Sequence, residues 1–73
     1  MPSIGAFYRA PAPGAAPFVD VGSTVEPDTL VCIIEVMKMM NSVHAGVSGT
    51  IAEVCVENGE AVEYGTPLFR VVP

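Results

Sequence analysis

Seventy-three residues, 51% of them apolar and 15% charged, suffice for one small core and exclude ordinary disorder, which needs low hydrophobicity and high charge. A net charge of −5, with basic side chains only at Arg9, Lys38 and Arg70, excludes a clustered phosphate-binding surface, so no nucleic-acid partner is expected. No apolar run approaches the roughly 18 residues of a membrane span, and Met1-Pro2-Ser3-Ile4 has no basic leader, so neither a membrane partner nor a signal peptide is expected and the expected location is cytoplasmic.

Seven glycines and seven prolines punctuate the chain, and valines and isoleucines fill the intervals, so the predicted class is all-β, as one domain over 1–73. The first strand is expected at Ser3–Phe7. The Ala- and Pro-rich stretch that follows, about residues 9–17, cannot be a central strand because its prolines lack N–H donors. Fixed φ angles and small side chains make it a stiff protruding loop. Short strands are predicted at Phe18–Val19 and Thr24–Val25, then longer ones at Leu30–Val36 and Met39–Ala45. Between the long pair, Met37 and Lys38 form the tip of a predicted hairpin, which presents the only lysine of the chain to solvent. The next strand, Gly49–Val56, alternates, with Ala52, Val54 and Val56 on one face and Glu53, Cys55 and Glu57 on the other. Strands at Ala61–Val62 and Pro67–Val72 complete the set. Cys32 and Cys55 lie inside strand-like apolar runs and are expected to be buried free thiols.

An internal repeat organises these elements. At an offset of 37 positions Val19 meets Val56, Gly22 meets Gly59, Val25 meets Val62, Glu26 meets Glu63, Thr29 meets Thr66 and Val31 meets Leu68. Two copies are too few for a solenoid, which needs at least three. They predict two similar halves about a pseudo-twofold axis, with Gly22 and Gly59 at turns needing positive φ and Asp28 facing Gly65 at a second turn. The repeat breaks once: Gly5 to Val19 is longer than Gly49 to Val56, and the extra residues fall within Tyr8–Pro17. The hairpin and the paired chain termini are predicted at opposite ends of the molecule.

Enzyme chemistry finds little purchase. One His, two Cys in apolar context and no nucleophile–base pair leave no catalytic set, and His44 reads as an ordinary strand residue. A soft-metal site from Cys32, Met37, Met39, Met40 and His44 fails because alternation splits those residues between faces, so no metal is expected. Met40 is assigned to the core. Met37 and Met39, beside an exposed lysine, are soft apolar side chains suited to a partner surface.

The stretch Cys32-Ile33-Ile34-Glu35-Val36-Met37-Lys38-Met39-Met40-Asn41, centred in the repeat and combined with Ile4-Gly5-Ala6-Phe7-Tyr8-Arg9 and the Pro-rich insertion, resembles the biotinyl domains of carboxyl carrier proteins of the acetyl-CoA carboxylase type, within the biotin/lipoyl attachment family. The resemblance covers nearly the whole chain. It implies a flattened barrel-sandwich of two four-stranded antiparallel sheets, with the insertion at about 9–17 as a "thumb". It also implies biotin joined covalently to Lys38 by a biotin protein ligase, with Glu35, Val36, Met37 and Met39 as recognition residues. Biotin carboxylase and carboxyltransferase are the implied partners, in fatty acid synthesis, in the cytoplasm or a plastid stroma. Such a domain tethers and carries rather than catalyses. Val36 departs from the usual Ala of the motif, and Ala10, Ala12, Ala15 and Ala16 leave the thumb without hydroxyls where relatives have Ser or Thr. A lipoyl carrier of the same fold and an unmodified interaction or regulatory module are the alternatives. Lipoyl domains typically place an acidic residue where Met37 stands.

Overall fold

Short β-branched runs separated by turn residues build seven strands and no helix in the computed structural model, which describes residues 5–73. They are β1 (Gly5–Tyr8), β2 (Thr24–Val25), β3 (Leu30–Val36), β4 (Met39–His44), β5 (Gly49–Val54), β6 (Ala61–Val62) and β7 (Phe69–Val72). Every pairing is antiparallel, giving one sheet in the order β4-β3-β1-β6 and another in the order β2-β5-β7. The part of the first predicted strand at Ser3–Ile4 lies outside the described residues.

The twofold repeat is written in the backbone hydrogen bonds. Phe7 and Ile51 occupy matching places, and each exchanges bonds with a turn of the opposite half. Phe7 N donates to Glu60 O (2.9 Å) and Gly59 N to Phe7 O (2.6 Å); Ile51 N donates to Ser23 O (2.9 Å) and Gly22 N to Ile51 O (2.8 Å). Because those glycines carry φ of 94° and 85°, the chain turns there without a Cβ penalty. The turns share one chemistry. In Asp20–Ser23, Glu26–Thr29, Glu57–Glu60 and Glu63–Thr66 the last N–H donates to the first carbonyl, and the last side chain accepts from the first N–H. Asp28, unlike its counterpart Gly65 at φ 91°, is not left-handed: Pro27 presets the first turn position instead.

Residues related by the repeat also make the core. Phe7 and Ile51, Val19 and Val56, and Val25 and Val62 are all buried, joined by Val31 and Cys32. Full burial of such side chains contributes about 1.5–3 kcal/mol each. Phe7 packs against Phe69 with centroids 5.8 Å apart at a tilted 55°, a geometry that aromatic quadrupoles favour.

Four expectations need correction. The described sheets hold four and three strands rather than four and four. Phe18–Val19 is not a strand either. Phe18 N donates to Arg9 O (2.8 Å), so this backbone closes the insertion instead of extending a ladder, although Val19 is buried. Cys55 is exposed and only Cys32 is buried, both as free thiols. Alternation had already placed Cys55 on the polar face with Glu53 and Glu57. Lastly, β1 begins at the hairpin end rather than opposite to it: a Cβ on Gly5 would come within 3.0 Å of Val36 Cγ2 and 2.5 Å of Glu35 O. Only glycine lets the two backbones approach so closely.

Strand β5 departs from simple alternation for a local reason. Its register against β7 shifts between Ile51 and Glu53, the mark of a bulge at Ala52. The extra residue changes phase, so Ile51 is buried on the same side as Val54 and Val56.

Candidate functional site

The β3–β4 ladder runs to Val36 opposite Met39, so the loop is only Met37 and Lys38. Both have positive φ, 51° and 67°, and they are the only non-glycine residues among those described that do. Positive φ at both central positions is the type I′ turn, whose twist matches the flanking strands. Asn-Gly or Asp-Gly would adopt it freely; Met and Lys each bear steric strain of about 1–3 kcal/mol. The reward is geometric. No hydrogen bond or ion pair ties Lys38 among the described residues, and its side chain is exposed.

Around this amine lies an apolar surface. Met37 is 90% exposed and Met39 67%. Met40, expected in the core, is 59% exposed. It stands opposite Glu35 in the ladder, on the outward face, whereas Cys32 and Ile34 point inward to Phe7. Glu35 and Val36 are half-buried. Val36 contacts the Gly5 backbone region, and Glu35 shares its face with Tyr8, one diagonal step across β1. The Glu35 carboxylate raises the Tyr8 hydroxyl above its ordinary range, first as hydrogen-bond acceptor and then by its charge. Asn41 Nδ2 donates to Ile34 O and Met39 O (both 3.3 Å), stitching the hairpin just below its tip. His44 ends β4 in solvent.

Next to the hairpin, on the same face, is a groove of about 480 Å³. Its floor is Tyr8, Glu35 and Met40, and its outer wall is the Ala- and Pro-rich insertion, with Arg9 and Asn58 at the base. From the sequence, no site role attaches to Tyr8 or Asn58. Only pairing β1 against β3, and folding the Glu57–Glu60 turn onto Phe7, brings them to the site.

A family model described as "biotin-requiring enzyme", covering biotin and lipoyl attachment, matches residues 1–71. The chain belongs to the biotin/lipoyl attachment family. It is 56% identical over 72 residues to the biotin carboxyl carrier protein of acetyl-CoA carboxylase from Nostoc sp., a match covering 99% of this chain and 40% of that protein. The corresponding protein of Pseudomonas aeruginosa is 52% identical over 71 residues, 97% of this chain and 46% of the relative. A chloroplastic carrier protein from Arabidopsis thaliana, form 2, is 51% identical over 72 residues, 99% of this chain and 28% of the relative. The chain thus spans less than half the length of these relatives. The twofold all-β fold described above is consistent with that family. Among the described residues no helix is long and apolar enough to cross a membrane.

Proposed function

We propose that this chain is the biotin-bearing domain of a carboxyl carrier protein of acetyl-CoA carboxylase, with Lys38 as the acylated residue. The observation that carries the reading is the exposed, unpaired Lys38 on a strained two-residue turn. An amide to biotin requires a primary amine that an active site can engulf, and a hairpin tip offers one with no rearrangement of the sheet. No base stands near Lys38 in sequence, so proton removal falls to the ligase. Met37 and Met39 supply deformable apolar contacts to that ligase and Glu35 a charged one, while Val36 sets the height of the tip over Gly5.

The residues fit the group. Lys38 holds it at the end of a flexible stem, and the neighbouring groove, with an apolar wall and Glu35, Tyr8 and Asn58 as polar points, matches a small amphipathic ring system. When bound, biotin supplies a ureido nitrogen that takes up and gives up a carboxyl group. The chain's own contribution is reach and effective concentration between a biotin carboxylase and a carboxyltransferase. Residues 9–17 act as the thumb that shields one side of the bound group, through backbone polar groups, since the side chains of residues 10–17 have none. The site of action is the cytoplasm or a plastid stroma.

The test uses the biotinylated chain with a biotin carboxylase, ATP and labelled bicarbonate, then a carboxyltransferase and acetyl-CoA. Label that depends on Lys38 and passes to acetyl-CoA is the expected result. Biotinylated protein that accepts no label overturns the carrier assignment. Label that passes to a different acyl-CoA but not to acetyl-CoA overturns the substrate assignment alone.

A further inference from the structure

The insertion has almost nothing of its own to hold it. Residues 11–17 are exposed, their side chains carry no hydrogen-bonding group, and among the described residues their internal backbone bond is Ala15 N to Ala12 O (3.1 Å). Its direction must therefore be set at the base. Arg9 gathers every tie there. Its N–H donates to Asn58 Oδ1 (2.8 Å), and its carbonyl accepts from Phe18 N (2.8 Å). Its Nη2 donates to Val19 O (3.0 Å) and to Asp20 Oδ1 (3.1 Å). One residue thus binds both ends of the insertion to each other and to the turns of both halves.

The arginine also carries a cost that stability alone would not select. Its Nε is buried with no partner among the described residues, and an unsatisfied buried donor is unfavourable. An apolar side chain would fill the space without that penalty. What it could not do is donate to two acceptors on the returning chain, as Arg9 Nη2 does.

We propose that Arg9 is a positioning residue: it aims the 9–17 insertion over the groove floored by Glu35 and Met40, and so sets how the insertion meets the group carried on Lys38. This rests on the reading of Lys38 as the biotin acceptor. It adds that the insertion's pose is held by one side chain rather than by its own stiffness.

The experiment compares wild type with Arg9→Met and Arg9→Lys, first without biotin, by amide hydrogen exchange and 15N relaxation. In Arg9→Met the amides of Ala12, Gly14, Ala15 and Ala16 should lose order, and the hydrogen-bonded amides of Ala15 and Phe18 should exchange at least about tenfold faster, while β3 and β4 amides stay within about twofold. Arg9→Lys, with one donor head, should recover part of the order. In the biotinylated proteins, carboxyl delivery should fall in kcat more than in KM, with the same partial rescue. Unchanged insertion amides in Arg9→Met, or equal loosening throughout the chain, overturn the proposal. So does a loosened insertion with undiminished delivery. Should Arg9→Met fail to fold, Asp20→Asn keeps an oxygen for Val21 N–H and takes away the charge that Arg9 Nη2 meets: selective loosening of the insertion supports the clamp, and none overturns it. If wild type itself takes no biotin, the Lys38 reading fails, and the relaxation data still decide the clamp.

Discussion

Met37 and Lys38 show how a residue choice can oppose local propensity. The place of the lone lysine on an exposed hairpin tip was legible, because strand-like runs flank it on both sides. The left-handed backbone was not, since neither residue signals positive φ and only the Val36–Met39 register demands it. Met37→Gly should relieve strain and raise unfolding free energy by about 1 kcal/mol in urea titration. The same change removes an exposed apolar contact, so the ligase kcat/KM should drop. A variant that gains neither stability nor loses rate would mean the turn is unstrained and Met37 untouched by the ligase. The two thiols form a second residue-scale contrast. Cys55 should react with iodoacetamide at the rate of a free thiol, and Cys32 only through unfolding, as counted by intact mass. Burial pushes Cys32 from 9.0 up to about 11. A raised thiol pKa means that the folded state holds the proton more tightly. Its contribution is full below pH 9 and is lost as pH rises through the window to about 11, so alkaline denaturation should begin there and Cys32→Ala should blunt it.

At the scale of elements, strands were readable wherever alternation and turn residues agreed. Thr24–Val25, Leu30–Val36 and Ala61–Val62 fall where the pattern put them, and the turns that flank them repeat one side-chain device. Two features escaped because they depend on partners. The bulge at Ala52 exists only against β7, and Phe18–Val19 is diverted by the Arg9 carbonyl. Met40 misled for a related reason: an apolar residue on a β-strand normally marks the core, but β4 is an edge strand whose outward face lines the groove. The insertion gives a sharp prediction. Arg9 O and Phe18 N are 2.8 Å apart, the spacing that closes a turn, so replacing Ala10–Pro17 with Asn-Gly asks for little backbone movement. The shortened protein should keep its far-UV spectrum and a Tm within about 5 °C, since loop length contributes only weakly to closure entropy. Loss of folding would make the segment structural and end its assignment as a thumb.

For the molecule as a whole, the repeat was the most informative signal, because it paired Val19 with Val56 and Val25 with Val62, all of which are buried. Crossed bonds at Phe7 and Ile51 are its physical expression. What it left unread was the count of strands in the described sheets, four against three. A core this small has no reserve. Phe7, fully buried and packed at a tilt against Phe69, should cost about 3–5 kcal/mol on change to alanine, which equals the about 3–5 kcal/mol that a core of this size supplies. Phe7→Ala should therefore be unfolded at 25 °C by circular dichroism, whereas Val21→Ala, on an exposed turn, should be indistinguishable from wild type.

The central claim is that one solvent-facing amine, lifted by a strained turn between two matching halves, is where this chain is acylated. Co-expression with a biotin ligase, followed by intact mass and peptide mapping of wild type and Lys38→Arg, tests it most directly. A single biotinyl increment confined to the peptide containing Lys38, and absent from a folded Lys38→Arg, is the predicted result. An unmodified wild type under an active ligase, or biotin that persists in Lys38→Arg, would contradict it.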